Sequence, residues 1–204
     1  MKLIAVSQRV DLISERKEVR DGIDQKLFEF IYKAGYLPLG VPNFELKVNN
    51  DSKNKQIALN KWLEKISPLA VVLSGGNNIG EVPKRDATEE KLIHYALEKK
   101  LPLLGICRGM QMIAKYLGVS LQESKNHSAV RHEISGVINR QVNSYHNFII
   151  ESCPNNFSIL ARSNEGYIEA IKHNKLPWEG WMWHPERENI FHQNDLERLR
   201  SLFK

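Results

Sequence analysis

Cys107 stands between Gly105 and Gly109 in the stretch GICRG, with the apolar run LPLLGI before it and a helical pattern after it. Glycine two residues before and two after is the pattern of a nucleophile elbow with cysteine in place of serine. At the mouth of the following helix a thiol meets unpaired backbone N–H groups and the positive end of the helix dipole. That setting lowers a thiol pKa from about 8.5 to roughly 3.5–7.5. The same residue could instead be a small apolar side chain packed under the helix, so its partners decide. In WMWHPER, His184 falls where Pro185 stops a strand, and Glu186, two positions on, is expected on the same side of an extended backbone. Cys107, His184 and Glu186 then supply the nucleophile, base and orienting carboxylate of covalent acyl transfer. LSGGNN (73–78) ends the preceding apolar strand, and its Gly75 and Gly76 let amide N–H groups face outward. With the N–H of Arg108 they would form an oxyanion hole, where losing one donor typically costs about 10²- to 10³-fold in rate. A plain turn and a phosphate cradle are other uses of such glycines, but the P-loop form fails because no Gly-Lys-Ser/Thr follows.

These residues need a scaffold, and the periodicity supplies one. KLIAVS (2–7), YLPLGVP (36–42), LAVVL (69–73) and LPLLGI (101–106) read as buried strands. Helical spacing separates them, through Ile23, Leu27, Phe30, Ile31 and Ala34, then around Ile57, Trp62, Leu63 and Ile66. A third helix is expected to open on a capping box of Asp86 and Glu89, and a fourth to run from Arg108 to Gly118. Alternating strand and helix predicts an α/β fold with a mostly parallel sheet covered by helices, whose ligands bind beyond the carboxyl ends of the strands. After Gly118 the short segments VSLQE, EISGVINR, NFIIES, FSILAR, YIEAIK and WEGWMWH predict an antiparallel or mixed extension of that sheet, closed by a helix from Asp195 to Phe203. No internal repeat or linker divides the chain, so residues 1–204 are expected to form one domain.

Composition excludes several classes. With 204 residues, 42% apolar and 26% charged, the chain is large enough for a proper core. No apolar run approaches the roughly 20 residues that span a bilayer, and the amino terminus lacks a signal-peptide apolar region, so a cytoplasmic protein without membrane contact is expected. Cys107 and Cys153 are expected as free thiols. The net charge of +5 is spread through mixed-sign segments, which suits an anionic small molecule but gives no basic stripe for nucleic acid. Of the seven histidines, His127, His132 and His146 cluster in sequence, yet their spacing fits no closed zinc pattern, and no metal is expected. Trp178, Trp181 and Trp183 read as core rather than as a stacking surface.

Taken together, GICRGMQ, HPE, the SGG after an apolar strand, and VNSYHN at 142–147 resemble the class I glutamine amidotransferase superfamily, and within it the γ-glutamyl hydrolases of the C26 peptidase type. The resemblance runs from the first strand to His184. It implies a flavodoxin-like core, attack by Cys107 on the δ-carbonyl of a γ-glutamyl group, and a thioester that water hydrolyses, with no cofactor. It also implies that Gln111, Ser144, Tyr145 and His146 meet the α-amino and α-carboxylate groups of the glutamyl moiety. Arg85, in KRDATEE, is expected near the same mouth as an anion contact. The RD..E and NSYH elements resemble stand-alone hydrolases, which implies a small-molecule γ-glutamyl conjugate and no obligatory synthase partner. A glutaminase subunit that passes ammonia to a synthase uses the same chemistry and stays open. The SQRV start, VRDGID (19–24) and the MWHPER ending resemble the γ-glutamyl-CDP-amidate hydrolases of bacterial capsule synthesis, implying a nucleotide-linked conjugate, with γ-glutamyl-GABA as the alternative.

Overall fold

The computed structural model describes residues 1–43, 52–124 and 127–204, with the backbone alone for 52–58. The elements run β1 (Leu3–Ser7), β2 (Arg9–Ile13), β3 (Glu18–Gly22), α1 (Gln25–Lys33), β4 (Leu37–Val41), α2 (Ser52–Ile66), β5 (Ala70–Leu73), α3 (Pro83–Lys99), β6 (Leu103–Ile106) and α4 (Arg108–Tyr116). There follow β7 (Leu121–Glu123), β8 (Ser128–Gly136), β9 (Arg140–Tyr145), β10 (Phe148–Ile150), β11 (Phe157–Ser163), β12 (Ile168–His173), β13 (Trp178–Trp181) and α5 (Gln193–Leu202). One nine-stranded sheet carries the order β4-β1-β5-β6-β13-β12-β11-β8-β9. Its first five strands are parallel, and numbering those five along the chain gives the doubly wound order 2-1-3-4-5. The remaining four run antiparallel, as the change of pattern after Gly118 predicts.

Burial on both faces explains why the parallel strands read as continuous apolar runs. Every residue of β5 and β6 is buried, and separate apolar clusters lie on the two faces of the sheet. Ile4, Val72 and Leu104 pack on one face; Ala5, Val71 and Leu103 pack on the other. The helices cover these faces, α1 with Leu27, Phe30 and Ile31, and α3 with Leu92, Ile93 and Ala96. The Ile57 side chain of the second helical pattern lies outside the described residues.

Two expectations are corrected, and two strand placements are added. WEGWMWH is the mixed strand of the extension: β13 lies between β6 and β12, parallel to β6, with Trp181 opposite Ile106, and antiparallel to β12. Trp178 and Trp181 are buried on this central strand, which its alternating pattern did not distinguish from an edge. VSLQE and NFIIES form their own two-stranded ribbon, β7 with β10. Residues 9–22, between the first strand and helix, form the hairpin β2–β3, in which Leu12 and Val19 stand opposite one another and exposed. Finally, Asp86 and Glu89 are no capping box. Helix α3 begins at Pro83, whose missing N–H costs nothing in a first turn, and Glu89 is directed into the protein interior.

Candidate active site

Strands β6 and β13 are parallel neighbours, so the segments that leave their carboxyl ends emerge side by side. Cys107 follows β6 directly, and its N–H donates to the Trp181 carbonyl at 2.7 Å. The turn is cramped. Cys107 has φ 50°, ψ −106°, a left-handed conformation that L-residues avoid unless the surroundings hold it. The flanking glycines permit the crossing: a Cβ on Gly105 would lie 2.5 Å from the Gly109 backbone, and one on Gly109 would lie 2.2 Å from the Leu73 oxygen. The thiol therefore sits at the N-terminus of α4, where the amide of Arg108 has no carbonyl within the helix to bond.

His184 leaves β13 and is 2% exposed. Its Nδ1 lies 2.6 Å from Glu186 Oε1. The two do not share an extended strand. Pro185–Arg187 winds into a 3-10 turn, which carries Glu186 back under the imidazole ring. Burial pushes the His184 pKa down, but the charges of Cys107 and Glu186, with their hydrogen bonds to the ring, outweigh it and raise the group to about 10. The ring thus holds its proton at neutral pH. Asn143, within VNSYHN, clamps the His184 backbone from both sides: its Nδ2 donates to the His184 carbonyl at 2.8 Å, and its Oδ1 accepts from the His184 N–H at 2.9 Å. Sequence reasoning passes over Asn143, although it stands inside a quoted motif.

The loop after β5 approaches from the other side. A Cβ on Gly75 would meet His184 Cε1 at 2.5 Å, and Gly76 holds φ +94°. Arg85 decides how this loop is oriented. In place of the expected anion contact at the mouth, it is 0% exposed, and its Nη2 donates to the carbonyls of Ser74 at 2.8 Å and Gly75 at 2.9 Å. In a trans peptide the N–H points opposite to the C=O, so the N–H groups of Gly75 and Gly76 turn away from Arg85. Beneath the loop, Glu89 accepts from Arg85 Nε at 3.1 Å and from Ser7 Oγ at 2.7 Å, and also pairs with Arg108. Asp86 pairs with the same Arg108 and accepts the Gly80 N–H at 2.8 Å. This buried network ties α3, the glycine loop and the start of α4 together.

Cys107, Arg108, Gln111, Gly76, Tyr145, His146, Asn147, His184 and Arg187 line a cleft of about 200 Å³. Larger depressions, beside Lys115–Leu121 and beside Val10 and Pro83, do not contain the thiol. Gln111 donates from Nε2 to the Phe148 carbonyl at 2.8 Å, so only part of its amide faces the cleft. Within the SYH segment the three residues separate. Tyr145 packs edge-on to His184 at 5.6 Å, beneath the Arg187 guanidinium at 4.4 Å. Ser144 is 1% exposed and its hydroxyl donates to the His127 carbonyl, which leaves its backbone for the expected substrate contact. His146 reaches the cleft wall, but its Nε2 is directed to Glu169 behind it. Strand pairing also brings His127 and His132 to that carboxylate, a grouping that spacing along the chain does not reveal.

The class I glutamine amidotransferase family matches residues 39–200, and the chain belongs to that family. It is 40% identical over 141 residues to a γ-glutamyl-CDP-amidate hydrolase of Campylobacter jejuni, covering 66% of this chain and 69% of that one. It is also 33% identical over 146 residues to the glutamine-hydrolysing GMP synthase subunit of Pyrococcus abyssi, covering 67% and 76%. Among solved structures, a GMP synthase subunit-like protein of Thermoplasma acidophilum matches with TM-score 0.71 at 23% identity, over 100% of this chain and 93% of that one; this likeness shows the α/β fold. Among the described residues no helix is long and apolar enough to cross a membrane.

Proposed function

We propose that the chain, as a single 1–204 domain, hydrolyses a γ-glutamyl amide through a thioester on Cys107. The observation that carries this reading is that Cys107 and the Glu186-paired His184 line one cleft, at the ends of adjacent parallel strands and beside the glycine loop. Cys107 attacks the δ-carbonyl as a thiolate while imidazolium His184 donates its proton to the departing nitrogen. His184, now neutral, takes a proton from water, which attacks the thioester and releases glutamate. Glu186 orients the ring and supports its charge; the amides of Gly75, Gly76 and Arg108 receive the oxyanion. Gln111 and Tyr145, with the backbone of Ser144 and His146, hold the glutamyl group.

The specific substrate we propose is γ-glutamyl-CDP-amidate, giving glutamate and CDP-amidate for capsule polysaccharide modification in the cytoplasm, with no obligatory partner. The Campylobacter relative supports this. A cleft of about 200 Å³ accommodates a glutamyl group but is smaller than the roughly 300–1,000 Å³ of common ligand pockets, so a nucleotide would extend past the mouth. Arg187 takes over there the cationic role expected of Arg85. The GMP synthase relatives favour a second reading, a glutaminase subunit serving a synthase. A rate assay of the isolated chain on glutamine, γ-glutamyl-GABA and γ-glutamyl-CDP-amidate separates the two. The proposal expects kcat/KM on the CDP-amidate at least about tenfold above glutamine, or about 1.4 kcal/mol of transition-state stabilisation. Slow rates on all three substrates, rising only with an added synthase, would sink it.

A further inference from the structure

The antiparallel half of the sheet holds a second cluster of ionisable groups that the cysteine chemistry leaves unused. His127 precedes β8, His132 lies on β8, His146 follows β9 and Glu169 lies on β12. His127, His146 and Glu169 are buried, and the His132 side chain is 11% exposed. The His127 ring lies 5.1 Å from that of His132 and 5.2 Å from that of His146, centroid to centroid. Ligand-type atoms of His127, His132 and Glu169 all fall within 4.8 Å of one another. His132 Nε2 and His146 Nε2 stand 3.5 and 3.7 Å from the same oxygen, Glu169 Oε1.

Those distances discriminate between two readings. Charge-assisted N–H···O contacts run at about 2.7–2.9 Å, and both separations here are well beyond that. Two ligand atoms on a tetrahedral zinc ion, each about 2.0–2.2 Å from the metal, stand about 3.3–3.5 Å apart. The 3.5 and 3.7 Å edges fit the second geometry to a few tenths of an ångström; His127, within 4.8 Å of His132 and Glu169 and with its Nε2 3.8 Å from Glu165 Oε2, would draw inward as an ion binds. Hydrogen bonding points the same way. Among the described residues both oxygens of Glu169, both nitrogens of His132, Nδ1 of His127 and Nε2 of His146 are buried without a hydrogen-bond partner. Native proteins rarely leave so many polar atoms unsatisfied in one place unless another group binds them. His146 Nδ1 lies 3.1 Å from the Phe148 carbonyl, the outer contact typical of a metal-bound histidine. In the ring tautomer that donates there, the Nε2 lone pair faces the carboxylate, and a cation between them satisfies both.

We propose that His127, His132, His146 and Glu169 form a structural site for a divalent transition-metal ion of the zinc class, separate from the cysteine centre. Imidazole-rich sets of this kind suit zinc, cobalt or nickel rather than magnesium or calcium, and four protein ligands leave no open position for catalysis. The ion would tie the end of β9 to β12. Because Tyr145 and His146 are consecutive and both line the cleft, it would also fix the wall that packs on His184. This inference does not depend on the substrate.

Metal content of the full chain, purified without chelator and measured by inductively coupled plasma mass spectrometry, tests it. About one zinc-class ion per chain is expected. After stripping with dipicolinate, a calorimetric Zn²⁺ titration should show one saturable site and restore a lowered Tm. Cobalt substitution should give the visible bands of a tetrahedral centre without thiolate charge transfer. Glu169→Gln and His132→Gln should lower bound metal roughly tenfold or more, while Cys107→Ala retains it, which separates this site from adventitious zinc on Cys107 and His184. The metal content and cobalt spectrum of the unaltered chain decide the matter even where a variant fails to fold. No saturable Zn²⁺ binding, or metal that leaves with Cys107→Ala but stays in Glu169→Gln, overturns the proposal.

Discussion

The Arg85 guanidinium lies 2.9 Å from the carbonyl oxygen of Gly75, and this contact fixes which way the next amide points. A residue that in sequence looks like a surface cation is instead the buttress of the glycine loop.

Arg85→Lys should therefore lower kcat by about 10²-fold, in the range of a lost oxyanion donor, with KM nearly unchanged. Lysine cannot donate simultaneously to Ser74, Gly75 and Glu89 with the fork geometry of arginine. Arg85→Ala should also destabilise the fold by about 3–5 kcal/mol, because Glu89 loses a buried partner. A steady-state comparison in which KM rises and kcat holds would return Arg85 to the role of substrate contact.

Gly75→Ala should give a folded protein with at least roughly 100-fold less activity, since its Cβ would sit 2.5 Å from His184 Cε1 and displace the base. Gly109→Ala should instead fail to fold, because the clash at 2.2 Å is with the Leu73 backbone, which has no freedom to yield. Circular dichroism with single-turnover rates checks both, and a fully active Gly75→Ala would remove His184 from its proposed role.

The two cysteines should part cleanly. Cys107→Ala should abolish turnover and Cys153→Ala should retain it, and a glutamine-like electrophile such as 6-diazo-5-oxo-norleucine should label Cys107 alone. Burial raises the Cys153 thiol above its ordinary value, and its Sγ lies 3.5 Å from the Phe157 carbonyl, away from the cleft. Mass spectrometry locates the adduct.

For pH, His184 is raised from 6.5 to about 10, so its contribution to stability is complete below pH 6.5 and is lost as pH climbs toward 10. The rate should follow the same group: kcat/KM should hold through neutral pH and fall near pH 10, when the ring no longer carries a proton for the leaving nitrogen. Glu186→Gln should move that alkaline limb to lower pH and cost less activity than His184→Ala. A limb near pH 7 in the unaltered enzyme would falsify the assignment of a persistent imidazolium.

Asn143→Ala should loosen the His184 backbone and reduce kcat by roughly tenfold, and Asn143→Asp should not rescue it, because the carboxylate cannot donate to the His184 carbonyl. Rates for the two variants, compared with their Tm values, separate positioning from general destabilisation.

What the sequence determined by itself is local. GICRG dictates its own turn, because the glycines that permit it are within two residues of Cys107, and WMWHPER carries His184 and Glu186 only two residues apart. The buried parallel strands were legible for the same reason: burial on both faces leaves an uninterrupted apolar run that needs no partner to be read. Only the tertiary structure decided the rest. Arg85 and Glu89, spaced like ordinary helix-surface charges, become a buried network once α3 packs over the glycine loop and Arg108 arrives from α4. The insertion of β13 between β6 and β12, which sets His184 beside Cys107, depends on strands whose paired residues, such as Leu103 and Trp178, are 75 apart in the chain, and no short pattern records a pairing partner. His127, His132, His146 and Glu169 meet for the same physical reason. Four antiparallel strands, β12, β11, β8 and β9, and the residues that flank them bring together side chains whose spacing along the chain, taken alone, fits no metal pattern.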